Sequence, residues 1–242
     1  MFFHSFSNFV KKSKMNKFVN RLKYYGVGFG IGMVFVFFFF QNRGCSWLPA
    51  NRVKNSILDR ALVVSEEENK VLSKKGVKID DIIELLNTGD VDFEKSITEG
   101  KTKIYYLSND KIKVFFTLPK DNYISEVKYA QRPVSKVTNT LKGKGKFLHF
   151  PNDPDLIYVD SNKVLGCQQE VLGFINQKLI FKAIKESGEV DFDKTFYFKK
   201  PRPICYINYK DAKGNMIGSK TYWYKNKITI KSFDIPFENS CK

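Results

Sequence analysis

The chain is short of the residues that most catalytic chemistry draws on. Its 242 residues hold two histidines, His4 and His149, and four cysteines with no C-x-x-C among them. A zinc site of ordinary spacing is thereby excluded. No G-x-S-x-G elbow and no G-x-x-x-x-G-K-[ST] phosphate loop occurs, and the lysine-glycine run Lys142–Lys146 lacks that spacing. No carboxylate cluster is spaced for a metal. A lone histidine between Phe147 and Phe150 is ordinarily structural. We therefore expect no catalytic residue, no cofactor and no bound metal.

What is abundant is positive charge and aromatic side chains. The formal charge is +16 and aromatics make up 15% of the chain. Residues 1–60 carry ten Lys/Arg against one Asp, which is +9 and leaves +7 for the rest. Charge gathered at one end of the chain argues against nucleic acid as the partner of the folded part.

One long apolar run stands out, Tyr24 to Phe40, seventeen residues without a charge. A helix of that length spans roughly 25 Å, the short end of what a bilayer core needs. A buried core helix, a cleaved signal peptide and a lipoprotein signal at Gly44-Cys45 fit less well. No small-x-small site follows Phe40, and Gln41, Asn42 and Arg43 separate the run from Cys45. The reading is a single transmembrane helix. Six Lys/Arg precede it and three follow within the next stretch, which points the N-terminus to the cytoplasm and the body outside it. Gly26, Gly28, Gly30 and Gly32 would let a second helix approach closely in the membrane. The expected organisation is a basic arm at 1–23, the membrane helix at 24–40 and a connector at 41–60. Then come a first α+β domain at 61–130, a linker at 131–146 and a second α+β domain at 147–242. Met15 is an alternative start.

Two stretches repeat at an offset of ninety-nine residues. GDVDFEKS at Gly89–Ser96 matches GEVDFDKT at Gly188–Thr195, position by position. Each follows a helical pattern and precedes strands. Ser65 and Glu68 form a capping box ahead of the first helix, and Gly76 and Gly89 close two helices. In the second copy Cys167–Ile184 reads as helix with Gly173 weakening its middle. TFYFKK, ICYINYK, IGSKTYWY and ITIKSF read as strands of an antiparallel meander. Asp92 and Asp191 sit after helix ends, as turn or cap residues. The expected fold class is α+β: one transmembrane helix followed by two tandem, repeat-related helix-plus-antiparallel-sheet domains. Cys167 and Cys205 fall in one unit and form a candidate disulfide, with two buried free thiols as the alternative.

The stretch GVKIDDIIELLNTGDV, with the helix before it, resembles a bacterial membrane-anchored family of unknown function. That family in turn distantly resembles the RelE-type ribonuclease toxins, which share helices and an antiparallel sheet. Family members often carry a histidine in the first helix, and SEEENKVL has none. The apolar run and its flanking charge give the expected location, a bacterial inner membrane with the N-terminus in the cytoplasm and an extracytoplasmic body. The lipid bilayer and a protein in the membrane or envelope are the expected partners. The leading functional reading, from the lack of catalytic motifs and the anchor, is a non-enzymatic, membrane-anchored interaction or accessory protein. The alternative is a tethered ribonuclease or RNA-binding protein, for which Tyr105, Lys113, Tyr129, Arg132 and Arg202 are the candidate groups.

Overall fold

The computed structural model describes residues 19, 21–37, 48–151, 157–158, 163–174, 176–224 and 227–234. The chain divides into two compact units, Met1–Asn51 and Arg52–Lys242. In the first, residues 21–37 are helical and exposed, with Leu22, Val27 and Phe29 among the open apolar side chains. Among the described residues no helix is long and apolar enough to cross a membrane. This overturns the transmembrane helix, the single-pass arrangement and the inner-membrane location expected from the sequence. The described helical stretch 21–37 also carries two charged side chains, Arg21 and Lys23, in its first turn. Gly26, Gly28, Gly30 and Gly32 lie on this helix with nothing within 4 Å of a Cβ built on any of them.

In the second unit the first half runs α1 (Pro49–Leu58), β1 (Ala61–Ser65), α2 (Glu66–Lys74), α3 (Ile79–Thr88), β2 (Asp90–Ile97), β3 (Thr102–Ser108), β4 (Lys113–Pro119) and β5 (Ile124–Tyr129). Local chemistry sets the breaks. The Ser65 hydroxyl accepts the Glu68 N–H at 3.3 Å, and three glutamates occupy the positive first turn of α2. Gly76 turns the chain with φ +72°. Lys78 caps the start of α3, and its N–H donates to the Asp81 carboxylate at 2.8 Å.

A connector with a 3-10 turn (Val134–Lys136) leads to β6 (Lys144–His149). The second half then runs β7 (Ile157–Tyr158), α4 (Lys163–Val171), α5 (Gln177–Ser187), β8 (Glu189–Asp191), β9 (Cys205–Lys210), β10 (Met216–Tyr224) and β11 (Lys227–Asp234). The helix expected across Cys167–Ile184 is two helices, because Gly173 takes φ +77° and the N–H of Phe174 closes on the Gln169 carbonyl. TFYFKK is not a strand; only Phe196 bridges, to Ile204.

All strands join one sheet of eleven, in the order β2-β3-β4-β5-β1-β6-β8-β9-β10-β11-β7. The expectation of separate antiparallel domains is overturned here too. β1 lies parallel to β5, β7 lies parallel to β11, and β6 stitches β1 to β8 antiparallel on both sides. Each half thus has a strand, two helices and a four-strand meander, with the opening strand returning beside the last.

Following strand directions across the sheet, β8 runs opposite to its counterpart β2, although the spatial order is kept. The halves are therefore related by a half-turn about an axis in the sheet plane, across the strands. Such a rotation puts their helices on opposite faces, and the cores agree. Leu62 and Val64 of β1 pack with Leu72, Leu85 and Leu86 of the first half. Ala61 and Val63 pack with Ile180, Ile184 and Leu172 of the second. Burying one such side chain contributes roughly 1.5–3 kcal/mol. The free face of the first half carries a smaller core, Ile104, Tyr106 and Phe115 under Val137, with Val134 and Ala130 packed against it.

Candidate functional site: one clasp built twice

The repeated octapeptide builds the same hydrogen-bonded clasp in both halves. The helix ends where the Gly89 N–H donates to Leu85 and the Gly188 N–H to Ile184, each at 2.8 Å. A Cβ on Gly188 would sit 2.2 Å from the Ile184 carbonyl oxygen, so glycine is required there. In the first half the Asp92 carboxylate accepts the N–H groups of Glu94 and Lys95, at 3.0 and 3.1 Å. In the second, Asp191 accepts the Lys194 N–H at 3.2 Å. The Ser96 hydroxyl donates to the Asp92 carbonyl and accepts the Tyr106 N–H at 3.0 Å. The Thr195 hydroxyl does the same with Asp191, at 2.6 Å, and with Tyr206, at 3.1 Å. Lys95 then lies 5.2 Å from the centre of the Tyr106 ring, and Lys194 lies 4.5 Å from that of Tyr206.

The copies part company on the face the tyrosine occupies. Opposite Tyr106 stands Phe115, edge-on at 5.4 Å, and the connector seals both. Opposite Tyr206 stands Lys220, exposed, with Ser232 beyond it. The Tyr206 hydroxyl donates to the Asp234 carboxylate, and the Lys194 ammonium is 3.6 Å from that carboxylate. Burial first, and Asp234 second, push the Tyr206 phenol up, while the hydrogen bond from Tyr206 holds Asp234 below its usual range. Lys231, also exposed, lies over Tyr222 at 5.5 Å. Lys194, Lys220 and Lys231 therefore face solvent from the sheet surface that is apolar and sealed in the first half. Charge follows the same division: residues 61–130 carry eleven Lys/Arg against thirteen Asp/Glu, or −2, and residues 131–242 carry twenty against eleven, or +9.

A fully buried carboxylate, Glu126, lies at the seam of the halves. Its carboxylate pairs with Lys128 at 3.0 Å, accepts the Thr140 N–H at 3.0 Å and accepts the Tyr197 hydroxyl at 2.7 Å. Burial, then the neighbouring Glu126 charge, raises the Tyr197 phenol well above its ordinary value. Glu126 is thus surrounded by donors from β5, the connector and the second half. It has the character of a satisfied structural network rather than an acid or base awaiting a substrate.

The residues singled out from the sequence do not converge. Tyr105 packs in the core under α3 and Lys113 is exposed at the start of β4. Tyr129 is half-buried, and its N–H donates to Glu68 at 3.1 Å. Arg132 is paired with Glu68, while Arg202 is exposed in the second half. His149 is half-buried on β6, and burial lowers its pKa. The Cys167–Cys205 disulfide does not form. Cys205 is a free, buried thiol, and Cys167 is disulfide-bonded; Cys45 and Cys241 lie outside the described residues. The Cys205 carbonyl accepts the Thr221 hydroxyl at 2.8 Å, and burial pushes the thiol pKa up to about 12. Among the described residues no three His, Cys, Asp or Glu side chains gather as a metal site. An open groove of about 520 Å³ runs between α5 and the β9–β10 turn. Its one buried acid, Asp211, is occupied by the N–H groups of Lys213 and Asn215.

The Lys194–Tyr206–Lys220–Asp234 group escaped the sequence reading. The signal was there: Lys95 and Lys194 differ by ninety-nine, and Tyr106 and Tyr206 by one hundred. Extending the repeat past one inserted residue aligns the tyrosines, but their cross-strand partners Phe115 and Lys220 are matched only by the pairing in the sheet. No family model, no curated protein and no solved structure matches the chain.

Proposed function

We infer that this chain is a non-enzymatic interaction protein, and that its working surface is the lysine-lined sheet face of the second half. The observation that supports this reading is the contrast between the copies. The same fold position is a sealed apolar layer around Tyr106 and Phe115 in one half, and an exposed cationic surface around Tyr206 and Lys220 in the other. An exposed face with Lys194, Lys220 and Lys231 set against Asp234 suits a partner that presents negative charge. Nothing about Glu126, Asp92 or Asp191 argues for turnover, since each is already engaged by its own neighbours.

A photo-crosslinking residue placed at position 220 of the full chain tests the reading. Adducts should form there in cells, diminish with added salt, and be absent when the same residue replaces Lys182 on α5. Equal labelling at 182 and 220, or none at 220, would overturn it.

A further inference from the structure

The two halves also differ at the outer edge of the clasp strand. In the second half β8 is flanked by β6. Gly145 stands opposite Val190, Lys144 opposite Asp191 and Lys146 opposite Glu189. The Phe192 N–H donates to the Gly143 carbonyl at 2.8 Å, and the Gly143 N–H donates to the Asp193 carboxylate at 3.0 Å. Lys144 reaches Glu189 at 3.5 Å. Gly145 is obligatory, because a Cβ there would lie 2.7 Å from the Phe192 ring and 2.9 Å from Val63.

In the first half no strand among the described residues flanks the same receiving sequence. Asp90, Val91, Asp92, Phe93 and Glu94 correspond to Glu189, Val190, Asp191, Phe192 and Asp193. β2 is the terminal strand on that side of the sheet. Phe93 is 40% exposed where Phe192 is 1% exposed. The Tyr106 N–H, across on β3, points toward the β2 side, where it meets Ser96. Outward and inward groups alternate along a strand, so the Val91 and Phe93 backbone groups point out, as do those of Val190 and Phe192. The edge therefore offers a backbone ladder, an exposed phenyl ring and the carboxylates of Asp90 and Glu94, whose counterparts Glu189 and Asp193 are met by Lys144 and by the Gly143 N–H; the Asp92 carboxylate is held by Lys95.

We propose that the β2 edge, Asp90–Glu94, is a docking site for an extended basic strand of another polypeptide. That strand adds antiparallel to β2, with glycine over Phe93 and lysines beside Asp90 and Asp92. Strand addition supplies main-chain hydrogen bonds, and the alternate side chains set specificity. Negative charge on the edge selects lysine or arginine; the phenyl ring selects a residue without a Cβ. The site is separate from the Lys220 face, and substitutions at one leave the other in place.

The probe is a fluorescent peptide with the sequence of Leu141–His149, LKGKGKFLH, titrated into the full chain by anisotropy. Saturable binding is expected. Val91→Pro removes the outward N–H while leaving the inward bonds of Asp90 and Asp92 to β3, and should weaken binding at least about tenfold. A peptide with valine in place of the central glycine should bind at least about tenfold more weakly. Asp90→Lys with Glu94→Lys should exchange the preference, favouring LEGEGEFLH over LKGKGKFLH. Circular dichroism of each variant checks that the sheet is intact. Binding unaffected by Val91→Pro would mean that the peptide exchanges with β6 at β8, and would overturn the proposal. So would the absence of binding, indifference to the charge exchange, or a Val91-dependent dimer that excludes the peptide. Crosslinking at position 220 should be unchanged in all of these variants, which keeps the two readings separable.

Discussion

The Tyr197 hydroxyl donates to the Glu126 carboxylate at 2.7 Å, joining a residue of the second half to the buried centre of the first. Both side chains are almost fully enclosed. A tyrosine that ties two halves through one hydrogen bond to a buried charge makes a clear prediction. Tyr197→Phe keeps the ring and removes the donor, and should lower stability by about 1–3 kcal/mol. Glu126→Ala leaves the Lys128 ammonium buried without its partner and should cost about 3–5 kcal/mol. Urea unfolding measures both, and the first should not exceed the second.

Cys205 should resist alkylation in the folded protein. Its thiol is fully buried and pushed up to about 12, so little thiolate exists near neutrality. Peptide mapping after iodoacetamide treatment should find it unmodified in native protein and modified in denaturant. Rapid native labelling would show that the thiol is open to solvent.

The same shift gives stability a direction in alkaline solution. The Cys205 thiol titrates higher when folded than its ordinary 9.0, so its contribution is whole below pH 9 and is lost as pH rises toward about 12. Tyr197 and Tyr206 are raised as well, and act in the same direction above pH 10. Urea midpoints should fall between about pH 9 and pH 12, and Cys205→Ala should flatten the early part of that fall.

Gly145→Ala should destabilise by about 1–3 kcal/mol, since a Cβ there meets Phe192 and Val63. The adjacent Gly143 has nothing within 4 Å of a Cβ, and its φ of +82° is the one obstacle to a side chain. Asparagine, which tolerates that conformation, should be accepted at 143 and rejected at 145. Thermal unfolding of the two variants distinguishes them.

The matched hydroxyls of the clasp offer a comparison of the copies. Thr195→Ala strands the Tyr206 N–H in a buried setting, and should cost about 1–3 kcal/mol. Ser96→Ala does the same to Tyr106 at a half-buried site and should cost less. Equal losses would mean that the two clasps bear the same load despite their different covers.

Much of the local structure was legible in the residues. Ser65 announces α2, Gly89 and Gly188 announce two helix ends, and the octapeptides point to related stretches. What sequence could not provide was long-range pairing. Nothing in ALVVS says that β1 returns beside β5, because a strand buried on both faces is equally apolar wherever it lies. Gly173 was visible, but whether a mid-helix glycine bends or breaks a helix depends on its surroundings. Tyr105 and Arg132, candidate surface groups, and Cys205, half of a candidate disulfide, each have a structural neighbour instead, and periodicity is blind to neighbours.

β1 has no side of its own, for all five of its residues are buried, and alternate ones serve the opposite cores of the two halves. A tandem duplication ordinarily leaves modules that recombination can shuffle. Here the party wall is shared, so neither copy can be excised without laying Ala61, Val63 and Ile124, or their counterparts across the wall, bare to water. Halves that share a strand in this way are not separable modules, and neither can be expected to hold its fold alone.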